Sequence, residues 1–295
     1  MIDPASLMKR VAGIRLLTMH LVDEQLSGDY HSSFKGQGIE FDEVREYVPG
    51  DDIRSIDWNV TARTGFPYVK RYSEERELTV MFLVDVSGSQ VFGSRGRPKS
   101  ELAALLACVL AMAAVRNEDK VGLIDFADRI VKTIPARKGR TAVNRLVREV
   151  LAEEGTRSGT DIAGALRFLN GVQKRRAVVF LVSDFLTAQS ADYEKLLRVV
   201  ARRHDVICIP VSDPAEAELP NVGLAELEDP ESGELVLVDT ADPSVRRQFA
   251  AVAKSETEHR DRFFARSGID NVPVATDRPY IQSIRALFKR RASKR

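Results

Sequence analysis

Residues 78–89 read LTVMFLVDVSGS, an apolar run that stops at Asp85 and then carries oxygen at every second position: Asp85, Ser87 and Ser89. Alternate side chains of an extended segment point the same way, so a carboxylate and two hydroxyls are presented together, and Gly88 frees the backbone to turn. Two further stretches set oxygens beside a regular element. Ser158-Gly159-Thr160-Asp161 opens a helix, and Ser183-Asp184 closes the apolar run VVFLV. Asp85, Ser87, Ser89, Thr160 and Asp184 form a hard, all-oxygen set that suits Mg²⁺ or Mn²⁺ rather than Zn²⁺ or copper. Two carboxylates leave a divalent ion short of anionic ligands, so an open coordination position would attract a carboxylate from outside. Each piece alone also fits ordinary local chemistry. Asp-Ser-Gly clusters make turns, Thr160 or Asp161 suits a helix N-cap, and Asp184 suits a strand end. Their occurrence in order, each beside the right element, favours a cation site.

The elements that must position these residues follow a clear rhythm from residue 78 onward. Strands are expected at 78–85, 120–128, 177–184 and 205–211, with an antiparallel edge strand at 129–135 and a short strand at 272–276. Helices are expected at 99–118, 140–153, 160–172, 191–204, 243–266 and 279–291. Strands apolar on both faces, alternating with helices, indicate an α/β domain with a doubly wound, mostly parallel sheet covered on both sides. That domain spans 78–295, with a polar hairpin excursion at 213–242. In an open sheet of this kind ligands bind outside the carboxyl ends of the strands, where all three oxygen clusters fall.

Residues 1–77 differ. Leu7, Val11, Ile14, Leu17, Leu21 and Leu26 recur at helical spacing over 4–27, with Gly28 expected just past the helix end. Residues 30–77 are dense in charge, glycine and aromatics, and YVPGDD (47–52) signals a turn. Arg45, Asp51, Asp52, Arg54, Asp57, Arg63, Lys70 and Arg76 surround the single tryptophan, Trp58. Such mixed charge with aromatics reads as a folded, ion-paired extension, either a module packed beside the α/β domain or a face for docking a partner.

Composition narrows the classes. The net charge of +1 provides no overall field for nucleic acid or an anionic membrane. The basic tail KRRASKR suits a solvated helix end. The two cysteines, Cys108 and Cys208, sit in apolar stretches and form no disulfide framework, which points to a reducing compartment. The N-terminus lacks the apolar core of a signal peptide, and the longest apolar run, residues 102–115, is too short to span a bilayer. A soluble, cytoplasmic protein without a transmembrane segment is expected.

DVSGS fits the DxSxS signature of von Willebrand factor A domains and their metal-ion-dependent adhesion site (MIDAS). SGTDIAGAL resembles the threonine loop of that site and FLVSDF its closing aspartate strand, while GLIDFADRI resembles the second strand. The resemblance implies a Rossmann-type, von Willebrand factor A-like fold. It also implies that Ser87, Ser89 and Thr160 reach a metal, that Asp85 and Asp184 act directly or through water, and that a partner's acidic side chain completes the shell. Phe185 stands where many members carry glycine and is expected to narrow the mouth of the site. EFDEVREYVPGDDIRSIDW, TAR, PYVKRY and EER, with DPAEAELPNVGLAELEDPESGELVLVD and DRPYIQSIRALFKRR, closely resemble the bacterial "domain of unknown function 58" family. Many members carry transmembrane helices before this region, and this chain is similar to the short soluble type. That resemblance implies partnership with MoxR-type AAA+ ATPases in assembly, activation or metal loading of other protein complexes.

Other chemistries find little support. GSRGRPKS (93–100) lacks phosphate-loop spacing, and no GxGxxG follows a strand. His20, His31, His204 and His259 are scattered, and neither serine of DVSGS has a base pattern nearby. A Mg²⁺-dependent phosphohydrolase using Asp85 as nucleophile remains an alternative, although Ser87 stands where such an enzyme would place a second carboxylate. A scaffold whose site holds no metal is another. The favoured expectation is a non-enzymatic, metal-dependent module for protein–protein interaction.

Overall fold

The computed structural model describes residues 13, 18, 22, 26–34, 39–74, 77–94, 97–152, 159–187 and 190–293. Most of the helix expected over 4–27 lies outside these residues, as do Ser158 and Arg76. The chain runs through α1 (Ser27–Phe34), β1 (Ile39–Glu46), α2 (Trp58–Thr64), β2 (Tyr68–Glu74), β3 (Thr79–Asp85) and α3 (Lys99–Arg116). It continues through β4 (Lys120–Phe126), β5 (Ile130–Arg137), α4 (Arg140–Ala152), α5 (Ile162–Val172), β6 (Val178–Ser183), α6 (Ser190–Arg203) and β7 (Asp205–Ser212). The last part comprises α7 (Pro214–Ala217), β8 (Leu224–Glu228), β9 (Leu235–Asp239), α8 (Pro243–Arg266), β10 (Asp270–Asn271), β11 (Val274–Ala275) and α9 (Tyr280–Ser293).

The central sheet runs β10-β7-β6-β3-β4-β5, with β11 also pairing β7. All its pairings are parallel except that of the edge strand β5 with β4. β3 shows why the sheet is covered on both faces. Val80, Phe82 and Val84 pack into a core built with α1, α3, α4 and α9, while Met81 and Leu83 pack into a second core with α5, α6 and α8. Each fully buried Val, Leu or Phe contributes on the order of 1.5–3 kcal/mol. α3 is apolar nearly all round because it lies inside the first core. Among the described residues no helix is long and apolar enough to cross a membrane. Cys108 and Cys208 are free and buried. Gly122 of β4 has no room for a side chain, since a Cβ there would meet Met81 Sδ at 2.7 Å and the Ala136 amide at 2.9 Å.

Two local expectations are corrected. Gly28, expected just past a helix end, lies within α1, while the helix expected before it is mostly outside the described residues. α1 accommodates the glycine because Tyr30 and Phe34, four residues apart, share a face buried in the first core, and this outweighs the glycine penalty of about 1 kcal/mol. The Tyr30 hydroxyl also donates to Asp119 Oδ2 at 2.8 Å. Of the strand expected over 272–276 only Val274–Ala275 (β11) forms, with β10 before it at Asp270–Asn271, because Pro273 between them has no amide to donate.

The extension forms its own two-stranded antiparallel sheet, β1 with β2. Arg45 clamps Asp51 through two hydrogen bonds of 2.7 and 2.9 Å, and Asp57 caps α2 through the amides of Asn59 and Val60. The surface is apolar as well as ion-paired: Val48, Ile53, Trp58 and Phe66 are all exposed, Trp58 by 68%.

His204, between α6 and β7, is buried, and neither ring nitrogen has a hydrogen-bond partner among the described residues. Burial, helped by the charges of Arg203 and Arg176, lowers its pKa. The unfolded chain therefore takes up the proton first as pH falls, so the neutral ring's contribution holds above about pH 6.5 and is lost below it. Denaturant titrations at pH 7.5 and 5.5 are expected to show a smaller acid loss in His204→Leu than in the wild type, by about 1 kcal/mol. An unchanged pH slope would mean that the ring is solvated in solution.

Candidate functional site

β3 and β6 are parallel neighbours, so Asp85 at the end of one and Ser183-Asp184 at the end of the other emerge side by side. The sheet order reverses here, with β4 beside β3 on one flank and β7 beside β6 on the other. Crevices at such reversals are where α/β sheets receive ligands.

Asp85 is buried. Its Oδ1 accepts from the Ser87 amide at 3.0 Å and its Oδ2 from the Ser183 hydroxyl at 2.6 Å. A short 3₁₀ turn over Gly88–Val91 curls the chain so that the Ser87 and Ser89 hydroxyls lie 3.2 Å apart. Ser89 then donates to Asp184 Oδ2 at 2.7 Å. Four of the five expected residues, Asp85, Ser87, Ser89 and Asp184, are thus gathered at one buried point. Thr160 is held differently: its hydroxyl donates to Glu231 Oε1 at 2.8 Å. Beside it, Asp161 caps α5 by accepting from the Gly164 amide at 2.7 Å, so the cap and the candidate ligand are adjacent residues.

Several participants carry no obvious sequence signal. Asp184 Oδ2 also accepts from Gln90 Nε2 at 3.0 Å and from Lys99 Nζ at 2.7 Å. The Lys99 side chain is wholly buried, and its ammonium makes a second ion pair to Glu216 Oε1. Glu216 is placed by the capping box of α7, where its Oε2 accepts from the Asp213 amide at 2.9 Å. Asp213 is itself held by Ser94 and Thr276. Lys99 lay in the glycine-rich stretch GRPKS, and its pairing with residues 85 and 117 positions away becomes visible only when β6 and α7 are in place. Glu231 sits at the tip of the β8–β9 hairpin, a segment whose sequence suggested an excursion and no contact with the site.

The expectation that Phe185 narrows the site mouth is corrected. Phe185 has a left-handed backbone, φ 60°, and its ring is buried against Tyr193 and Phe264, with centroids 5.9 and 5.3 Å away. A glycine is easily accommodated at such a φ; here burial of the ring in the second core offsets a cost on the order of 1 kcal/mol. The backbone amide of Phe185 donates to Ser183 Oγ at 3.0 Å, which in turn orients that hydroxyl toward Asp85.

Carboxylates dominate the electrostatics. Lys99 pairs with Asp184 and Glu216, the Arg260 guanidinium donates to the Asp184 carbonyl at 3.4 Å, and the charge of Asp184 bears on both Asp85 and Glu231. Burial, with the charge of Asp184 adding to it, pushes the Asp85 carboxyl up to about 7. Burial also raises Glu216 despite its pairing to Lys99. Burial raises Glu231, the Thr160 hydrogen bond draws it back, and the Asp184 charge raises it further. Burial opposes the charge on Lys99, but Asp184 and Glu216 outweigh it and hold its pKa above the ordinary value. Gln90 Oε1 is a buried acceptor with no partner among the described residues. The buried carboxylates of Asp85 and Asp184, two converging hydroxyls and the amide oxygen of Gln90 are a donor set that fits a hard divalent cation. Among the described residues no three His, Cys, Asp or Glu side chains are grouped to hold a metal, so a cation here relies on hydroxyls as much as on carboxylates.

Comparison with known proteins places the chain in context. The family described as "Protein of unknown function DUF58" matches residues 43–259. An uncharacterized protein of Mycobacterium tuberculosis is 32% identical over 285 residues, covering 96% of this chain and 89% of that protein. An uncharacterized protein of Mycobacterium avium is 31% identical over 160 residues, 54% of this chain and 93% of that protein. Among solved structures, the conserved hypothetical protein BatB of Bacteroides thetaiotaomicron aligns with a TM-score of 0.46 at 18% identity, covering 73% of this chain and 99% of that one. An aerotolerance-related membrane protein of Bacteroides fragilis aligns with a TM-score of 0.46 at 17% identity, covering 74% and 100%.

Proposed function

The chain belongs to the DUF58 family, and from that premise and the geometry at the ends of β3 and β6 we propose that it is a metal-ion-dependent protein-binding module. The fold reading that goes with it is a doubly wound, von Willebrand factor A-like domain. The observation that carries the function is the buried cluster in which the Ser87 and Ser89 hydroxyls converge beside Asp85 and on Asp184, with Lys99 pairing Asp184 to Glu216. Asp85, Ser87, Ser89, Thr160 and Asp184 would hold Mg²⁺ or Mn²⁺, which when bound supplies an electrophilic position for an acidic side chain of a partner. The exposed Val48, Ile53, Trp58 and Phe66 of the extension support a protein-docking role, since aromatic side chains are enriched where proteins associate.

Binding is favoured over hydrolysis on the chain's own residues. A phosphohydrolase needs a lysine open to a phosphate, and Lys99 is enclosed in two ion pairs. Position 87 is a serine, not a second carboxylate. The partner we propose is a MoxR-type AAA+ ATPase of the same cytoplasm, together with the proteins it assembles or activates. Capture of that ATPase by the immobilised chain is expected in Mg²⁺, and is expected to be lost in chelator and in Asp85→Ala. Equal capture under all three conditions would remove the metal from the reading.

A further inference from the structure

We infer that Glu231 is the chain's own acidic ligand for the cation position, seated where a partner's carboxylate would otherwise enter. This rests on the metal-dependent reading above and extends it, because it makes the β8–β9 hairpin a built-in competitor of acidic partners. The hairpin is an unusual source for a buried contact. Its strands leave Leu224, Leu235, Val236 and Leu237 exposed, and Pro230 and Ser232 at its tip are exposed as well. Glu231 between them is partly buried and reaches the Thr160 hydroxyl. Its second oxygen lies against Gly159, 3.4 Å from where a Cβ would stand.

The tip is built to hold that side chain out. Asp229 Oδ1 accepts from the Glu231 amide at 2.9 Å and Oδ2 from the Ser232 hydroxyl at 2.6 Å. Gly233, with φ +76°, turns its amide onto the Asp229 carbonyl at 2.7 Å, and the Asp229 amide closes the loop on the Glu234 carbonyl at 2.8 Å. A carboxylate presented on a braced turn loses little conformational freedom on docking. A mere tether to Thr160 would be made at lower electrostatic cost by a neutral amide, because burial and the charges of Asp184 and Asp229 oppose the charge of Glu231. A shared cation turns that cost into a gain. Thr160 is then the point at which the inner ligand and an outer one exchange, and an acidic partner segment binds by displacing Glu231.

Mn²⁺ binding to the full chain tests this directly, with electron paramagnetic resonance counting free ion and water-proton relaxation reporting water on the bound ion. Glu231→Ala and Glu231→Gln are expected to weaken Mn²⁺ by about tenfold and to raise the relaxation enhancement as water takes the vacated position. Asp229→Ala, which keeps the carboxylate but loosens its turn, is expected to fall between them and the wild type. Variants that match the wild type in both affinity and relaxation would overturn the role of Glu231 while leaving the metal site standing. A wild-type chain that binds no Mn²⁺ would overturn both. The hairpin's exposure makes misfolding a minor concern, and unchanged thermal unfolding of the metal-free variants checks it.

Discussion

Lys99→Met is expected to cost about 3–5 kcal/mol of folding stability, the loss typical of removing one partner from a buried ion pair. The side chain is fully enclosed and serves two carboxylates at once, Asp184 at 2.7 Å and Glu216. Methionine fills the volume but leaves both acids without their ammonium, Asp184 fully buried and Glu216 partly so. The cost has a specific signature. Asp184→Asn in the same chain should recover a large part of it, since the amide removes one uncompensated charge and the two positions are in contact. Mg²⁺ should also stabilise Lys99→Met more than it stabilises the wild type, because an added cation does part of the work of the missing ammonium. Denaturant titrations of the two single variants and the double variant, with and without Mg²⁺, measure all three quantities. A loss below about 1 kcal/mol, the range of exposed pairs, would show that Lys99 is hydrated in solution and that the cluster carries less charge than its geometry indicates.

Lys99 also illustrates why the sequence displayed one half of the site and concealed the other. Asp85, Ser87 and Ser89 announce themselves because they alternate at the end of a strand apolar on both faces, a pattern that is local. Asp184 does the same at the end of β6. The strand and helix rhythm from residue 78 was equally legible, since buried parallel strands read as continuous apolar runs and α3 as an apolar helix. Lys99, Glu216 and Glu231 have no local pattern. Each is an ordinary charge at a helix start or a turn, and only the tertiary contacts of Lys99 with Asp184 and Glu216, and of Glu231 with Thr160, show what it does. Phe185 misled for a related reason. Its sequence position touches the site, but the left-handed backbone sends the ring into the core between α6 and α8. The break at Pro273 was visible in the sequence, but it sits inside an otherwise strand-like run whose pairing to β7 resumes immediately after it.

Asp85→Asn is expected to separate stability from function in a single substitution. The carboxyl is buried, repelled by Asp184, and held by the Ser183 hydroxyl and by the amide and hydroxyl of Ser87. An amide keeps the shape, accepts from the Ser87 amide and donates to the Ser183 oxygen, whose second lone pair is open beside the one that takes the Phe185 amide. It thereby removes a desolvated charge at little cost in packing. The metal-free variant should therefore be more stable than the wild type by about 1–3 kcal/mol, the direction in which functional sites commonly depart from their stability optimum. The same change should abolish the rise in unfolding temperature that Mg²⁺ gives the wild type, because linkage to a ligand requires affinity for the folded state. Thermal unfolding of both chains across a Mg²⁺ series reads the two effects together. Were Asp85→Asn to lose stability and keep the Mg²⁺ response, the carboxylate would be a structural anchor of β3 and the cation, if bound, would sit elsewhere. A gain in stability with loss of the Mg²⁺ response is what a site retained for binding rather than for folding requires.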